Sequence, residues 1–155
     1  MMIIPKMTTF SERVRAGSEV FHALGRILKA KGHAAGVGDE GGYAARLGKN
    51  DEAFSLILDA VEDAGYAPGR DIALGMDVAA SEFYDADTSR YTLAVEKKTL
   101  TAPELVGLYE SWLKKYPLLV LEDGLAEDDW GNWETLTRKL GKKLTLIGDD
   151  LFVTN

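Results

Sequence analysis

The chain contains no cysteine among its 155 residues. A disulfide framework and a thiolate metal site are therefore excluded, and a reducing compartment fits. Only two histidines are present, His22 and His33. One falls inside a helical pattern and the other just past its end, so both read as structural or solvated. The longest apolar runs fall well short of the roughly 18 residues a membrane span needs, and the opening MMIIP is too short for a signal peptide. The expectation is a cytoplasmic chain with no membrane span. Basic side chains are outnumbered 18 to 25, giving a formal charge of −7. That opposes nucleic-acid binding as a bulk property, because neutralising phosphates takes Lys and Arg. It leaves room for a local cationic site for a small anion.

Hydrophobic residues make up 46% and charged residues 28%, ordinary for a globular chain long enough for one domain. Short apolar runs alternate with helical patterns. Residues 1–5 read as a strand. Thr9 and Glu12 have capping-box spacing ahead of a helix whose apolar face is Val14, Gly17, Phe21, Leu24 and Leu28. Residues 37–43 read as a strand end and loop. Asn50 is expected to cap a second helix through Phe54, Ile57, Leu58 and Val61, ended by Gly65. IALGMDV (72–78) reads as a strand, and residues 83–93 as a hairpin. Thr101 and Glu104 repeat the capping box, and Pro117 stops that helix. LLVLE (118–122) lacks alternation, as expected of a strand covered on both sides. A helix over 127–140, with Trp130 and Trp133 packing on the sheet, and a strand over 144–148 complete the series. Strand–helix–strand units in series imply parallel strands with helical crossovers. Both an open doubly wound sheet and a (β/α) barrel satisfy that pattern.

Three strands end in carboxylates: Asp77 after IALGM, Glu122 after LLVL and Asp149 after LTLIG. In parallel α/β folds the C-terminal strand ends share one face, where sites are built. Clustered carboxylates repel one another and are costly to desolvate without a counter-charge. A hard divalent cation solves this, and an all-oxygen donor set favours Mg²⁺ or Mn²⁺ over Zn²⁺. The bland alternative is that each acid merely closes its strand. Glu82 and Asp150 lie close behind two of these residues and read as outer groups or loop acids. In GDEGG (38–42), glycines flank Asp39 and Glu40, so the backbone can bend sharply. Partial burial beside Asp39 would raise the pKa of Glu40 and suit it to general-acid work. Alone, the motif reads more simply as a solvated acidic turn.

Four segments are diagnostic together. VGDEGGYA (37–44), MDVAASEFY (76–84), LEDGLAEDDW (121–130) and GDDLFVTN (148–155) resemble, in order and spacing, the signature segments of enolases. GSEVFHAL (17–24) resembles the helix that precedes them. The resemblance implies an α/β fold, a partial (β/α) barrel of the enolase C-terminal type with an antiparallel start and a small hairpin after the third strand. It implies a Mg²⁺-dependent lyase that dehydrates 2-phosphoglycerate to phosphoenolpyruvate in glycolysis. Asp77, Glu122 and Asp149 match the family's metal carboxylates, and Glu122 and Asp149 also contact substrate. Glu40 matches the glutamate that assists departure of the 3-hydroxyl. Members of the superfamily pair a Lys or His base with Mg²⁺.

Ala45 departs from the family, which usually has proline there. The resemblance further implies that residues 1–155 are one incomplete barrel domain, without the N-terminal capping domain and the last barrel strands. The lysine base would lie on those missing strands, so this chain alone is expected to be inactive and its open edges prone to aggregate. The full-length parent is expected to be a homodimer or larger, cytoplasmic, with a secondary cell-surface or secreted pool as in the family. Two rivals remain. Another superfamily member would act on a different carboxylate, although GDEGG and DDLFVTN oppose it. A non-catalytic surface binder would use patches such as Lys97-Lys98 or Lys142-Lys143. An acidic phosphate-transfer domain would need a strand-end aspartate followed two residues later by another, and none of Asp77, Glu122 or Asp149 has that spacing.

Overall fold

The computed structural model describes residues 1–155. Its elements run β1 (Met2–Pro5), α1 (Phe10–Ala30), α2 (Glu52–Asp63), β2 (Ile72–Asp77), a 3-10 turn (Ala80–Phe83), β3 (Tyr84–Asp85), β4 (Arg90–Leu93), β5 (Lys98–Leu100), α3 (Ala102–Lys115), β6 (Leu118–Glu122), α4 (Trp130–Leu140) and β7 (Thr145–Ile147). Both capping boxes form. The amides of Glu12 and Glu104 donate to the hydroxyls of Thr9 and Thr101, and each glutamate accepts from the threonine amide in return. Two otherwise orphaned donors are thereby satisfied at each helix start.

The chain folds as two compact units, one of Ile3–Ala73 and one of Leu74–Asn155 with Met1–Met2. In the first, α1 packs against α2 through Ala16, Val20 and Ala23 on one side and Phe54, Ile57, Ala60 and Val61 on the other. Of the expected stripe of α1 only Leu28 is fully buried, Gly17, Phe21 and Leu24 are half-buried, and Val14 is 54% exposed. Packing against α2, rather than local periodicity, selects which face of α1 is covered. Arg26 donates to Asp63 at 2.7 Å across the same pair of helices, and the Phe21 ring stacks on Tyr43 with centroids 4.4 Å apart. Asn50 does not occupy the capping position of α2. Asp51 does, in helical backbone and with no side-chain capping bond. At the other end Gly65 takes φ +86°, and the amides of Gly65 and Tyr66 return to the carbonyls of Glu62 and Val61. That left-handed turn is one glycine adopts without strain.

In the second unit, β2 pairs with β6 and β6 with β7, all parallel. The order β2-β6-β7 follows chain order with no reversal. A doubly wound sheet reverses at a switch point, whereas a barrel adds each strand beside the last. The sheet is open, not closed into a ring. The antiparallel element holds three strands, because β5 pairs with β4 beyond the expected hairpin. Lys98-Thr99-Leu100 is short and largely exposed, so no apolar alternation announced it. It follows β2, the second regular strand, since residues 37–43 contribute only the isolated bridge Val37–Tyr43.

Two packing expectations need correction. Leu118 and Leu121 of β6 are buried, but Leu119 is 37% exposed, so that strand is not covered on both sides. Trp133 is buried and donates its indole N–H to the Ala126 carbonyl at 3.0 Å. Trp130, the first residue of α4, instead stays 59% exposed beside a cavity of about 310 Å³ that Leu146, Ile147 and Phe152 also line. No helix is long and apolar enough to cross a membrane.

Candidate functional site

Parallel register sets the site. Asp77 at the end of β2 is the pairing partner of Glu122 at the end of β6, and Glu122 in turn is the partner of Ile147 at the end of β7. Asp149 follows two residues beyond. The three strand-end carboxylates singled out in the sequence therefore occupy one C-terminal rim of one sheet. Asp77 and Asp149 are exposed and Glu122 is half-buried.

The backbone beyond each strand is stitched to its neighbour. The Val78 amide donates to the Glu122 carbonyl at 3.0 Å, the Ala80 amide to the Asp123 carbonyl at 3.1 Å, and the Asp123 amide to the Ile147 carbonyl at 3.1 Å. Ala79 and Asp123 both sit at positive φ, 46° and 42°. Side chains with a Cβ rarely adopt that conformation, and it costs about 1–2 kcal/mol at each. Both strained residues lie within two positions of a rim carboxylate. The Asp77 carboxylate accepts from the Ala79 amide at 3.1 Å, which holds the first of these bends.

Asp123 is the one charged side chain in the core, at 3% exposure. Its carboxylate accepts from the amides of Asp149 (3.1 and 3.3 Å, one to each oxygen), Asp150 (2.9 Å) and Leu151 (3.4 Å). Three successive amides pointing at one carboxylate form an anion nest. Sequence reasoning missed this residue because its neighbour Glu122 drew the attention. The available signal was a second acid between a strand end and Gly124, where an acid in a buried loop must find donors.

Neighbouring carboxylates act on Asp150. Asp150 has its pKa raised by desolvation first, then by the charges of Asp123, Asp149, Asp77 and Glu127. Groups from all three strand ends thus reach one carboxyl. Beneath them the loop after β6 is held by three ring-bearing side chains. The Tyr109 hydroxyl donates to the Gly124 carbonyl at 2.8 Å, the Tyr91 hydroxyl donates to Asp129 at 2.9 Å while accepting from the Ala126 amide at 3.0 Å, and Trp133 holds Ala126 from the other side. The Ser81 hydroxyl accepts from the Glu127 amide at 3.0 Å and ties that loop to the turn after β2.

A family model described as the C-terminal TIM barrel domain of enolase matches residues 1–155. The chain belongs to the family of enolase C-terminal TIM barrel domains. Its enolase barrel segment thus places the strand-end carboxylates where a (β/α) barrel builds its sites, at the C-terminal face.

Oxygen donors partly open to water suit a hard divalent cation in kind. The side chains do not stand as a finished cage, since no three Asp, Glu or His residues are gathered as a metal-holding group. Glu40 belongs to the other compact unit. It lies with Asp39 in an exposed turn in which the Gly38 amide donates to the Gly42 carbonyl at 2.8 Å. The partial burial that would have tuned it beside Asp39 is not present within that turn. Glu82 is exposed in the 3-10 turn.

Proposed function

We propose that the parent gene product is a glycolytic hydro-lyase that converts 2-phosphoglycerate to phosphoenolpyruvate with Mg²⁺. The supporting observation is the register that sets Asp77 opposite Glu122, and Glu122 opposite the strand end leading to Asp149. Asp77, Glu122 and Asp149 would hold the cation. When bound, it would act as a Lewis acid, offsetting the charge that builds on the substrate carboxylate when the neighbouring proton leaves. Glu122 and Asp149 would also orient the substrate. Glu40 would deliver a proton to the 3-hydroxyl, so that the C–O bond breaks with loss of water and its electron pair leaves on oxygen.

The base that takes the proton from C2 is not on this rim, because no lysine stands at the end of β2, β6 or β7. The 155-residue chain by itself is accordingly expected to give no turnover, and the complete gene product is the species to assay. Asp77→Ala in that product should lower kcat/KM for 2-phosphoglycerate by about 100-fold or more, the scale on which disrupted metal sites lose activity. Unchanged turnover in Asp77→Ala would remove the rim from the mechanism. A wild-type product inactive on 2-phosphoglycerate but active on another hydroxy acid would move the chain to a different reaction of the same superfamily.

A further inference from the structure

We infer that Asp123 is a positioning residue that fixes the turn carrying Asp149 and Asp150 against the ends of β2 and β6. The residue connects all three strand ends at once. Its carbonyl accepts from Ala80, three positions beyond Asp77, its amide donates to Ile147 at the end of β7, and its carboxylate collects the amides of residues 149–151. Its own backbone follows directly on Glu122. No other side chain touches the rim from a buried position while bonding to the segment that carries Asp149.

The energetics favour a specific role over filler. A carboxylate at 3% exposure is expensive to bury unless its oxygens are satisfied, and here backbone donors of the neighbouring turn supply that satisfaction. Apolar contact adds less, since Leu151 and Phe152 line the open cavity beside Trp130 and Phe152 stays 52% exposed. Leu151 is half-buried, and residues 152–155 are exposed. Its internal bonds, Phe152 and Val153 to the Asp149 carbonyl, shape it but do not dock it. Docking comes from Asp123. An apolar residue of similar size would leave three amides without acceptors, and an asparagine would keep one acceptor oxygen but turn its NH2 toward the remaining donors.

The inference deepens the proposed function and depends on it only for the cation. The turn geometry stands apart from any metal, so two readouts separate the two ideas. Amide hydrogen exchange is measured on the 155-residue chain, wild type and Asp123→Asn. Exchange at Asp149, Asp150 and Leu151 should accelerate by about tenfold or more, as expected for lost charge-assisted bonds. Exchange at Leu105, Val106 and Leu121 should stay within about threefold, because those amides report the core of the same unit. Equal acceleration everywhere, or none at 149–151, overturns the inference.

Mn²⁺ binding, followed by its electron paramagnetic resonance signal, is the second readout. Asp123→Asn should weaken it by about 10-fold or more. Leu136→Ala, a core truncation in α4 away from the rim, should not weaken it although it destabilises the fold. Equal Mn²⁺ affinity in wild type and Asp123→Asn also overturns the inference, as does equal weakening by Leu136→Ala. Absence of Mn²⁺ binding in the wild type, with the exchange pattern as expected, leaves Asp123 as the anchor of the turn and refutes the metal site. If Asp123→Asn does not fold, Asp123→Glu serves under the same criteria. The added methylene prevents one carboxylate from meeting all three amides, so exchange at 149–151 should still rise selectively.

Discussion

Removing one hydroxyl from the floor of the rim gives the sharpest test of how the loop after β6 is held. Tyr91 is fully buried, and its hydroxyl mediates between two groups, accepting from the Ala126 amide at 3.0 Å and donating to Asp129 at 2.9 Å. Tyr91→Phe keeps the ring and creates no cavity. It strands the Ala126 N–H, whose residue is 3% exposed, at a cost of about 1–3 kcal/mol. Loss of a bond to a carboxylate adds about 1 kcal/mol, below the usual range for a charged acceptor because Asp129 is partly exposed and keeps Asn132 as a donor at 2.8 Å. The sum is about 2–4 kcal/mol, or roughly 5–12 °C in Tm for a chain of this size.

Tyr109→Phe is the internal comparison. Tyr109 is equally buried, but its hydroxyl makes a single bond, to the Gly124 carbonyl at 2.8 Å. A carbonyl left under-satisfied costs less than an orphaned N–H, so about 1 kcal/mol is expected. Urea unfolding followed by circular dichroism would measure both variants, with unchanged m-values as the condition for comparing them. A Tyr91→Phe cost below about 1 kcal/mol, or one no larger than that of Tyr109→Phe, would refute the claim that this hydroxyl bridges the loop.

Much of the fold was legible because local chemistry and tertiary demand agree in this chain. Both capping boxes announced their helices from two residues each, and Gly65 announced a left-handed turn that it takes at φ +86°. Legibility fell where packing chose among local options. Val14 and Val20 are alike in sequence, yet Val20 is buried with Ala16, Ala23 and Leu28 while Val14 stays 54% exposed, because the position of α2 decides which face of α1 is covered. β5 escaped notice because its partner β4, not its own composition, makes it a strand. Trp130 and Trp133 share a spacing that suggests one face, but only Trp133 lies far enough along α4 to reach the core and bond Ala126.

The rim was legible in part for a similar reason. Strand-end position is a one-dimensional property, so Asp77, Glu122 and Asp149 could be picked out before any coordinates, and parallel register then set their strands side by side. Side-chain direction is not one-dimensional, and the three do not stand as a finished metal cage. Asp123 was hidden because its role lies in accepting backbone bonds from residues 26 to 28 positions away. No local pattern encodes such a contact. Glu40 was chosen for a motif, and its exposed turn shows that flanking glycines give reach without giving burial.

Two further outcomes follow from the same contacts. Tyr91 has its pKa raised, first by burial and then by its bond to Asp129, and Tyr109 has its pKa raised by burial. Groups whose folded pKa lies above the unfolded value of about 10 contribute stability that is complete below pH 10 and lost as the pH climbs toward the folded values. Urea midpoints should therefore fall steeply above about pH 10 in the wild type and less steeply in a Tyr91→Phe, Tyr109→Phe double variant; equal slopes would contradict the assignment. The last outcome contrasts two glycines that look alike in sequence. A Cβ on Gly107, exposed within α3, would meet nothing within 4 Å, so Gly107→Ala should stabilise by about 0.5–1 kcal/mol through reduced backbone freedom of the unfolded chain. A Cβ on Gly124 would meet Cγ and Cδ2 of Leu121 at 3.1 Å. Leu121 is fully buried, so it has little space to yield. Gly124→Ala should then destabilise by about 1–3 kcal/mol, the range for an overpacked core. A stabilised Gly124→Ala would mean that the loop after β6 is loosely packed, and Tyr91, Tyr109 and Trp133 would then not be its anchors.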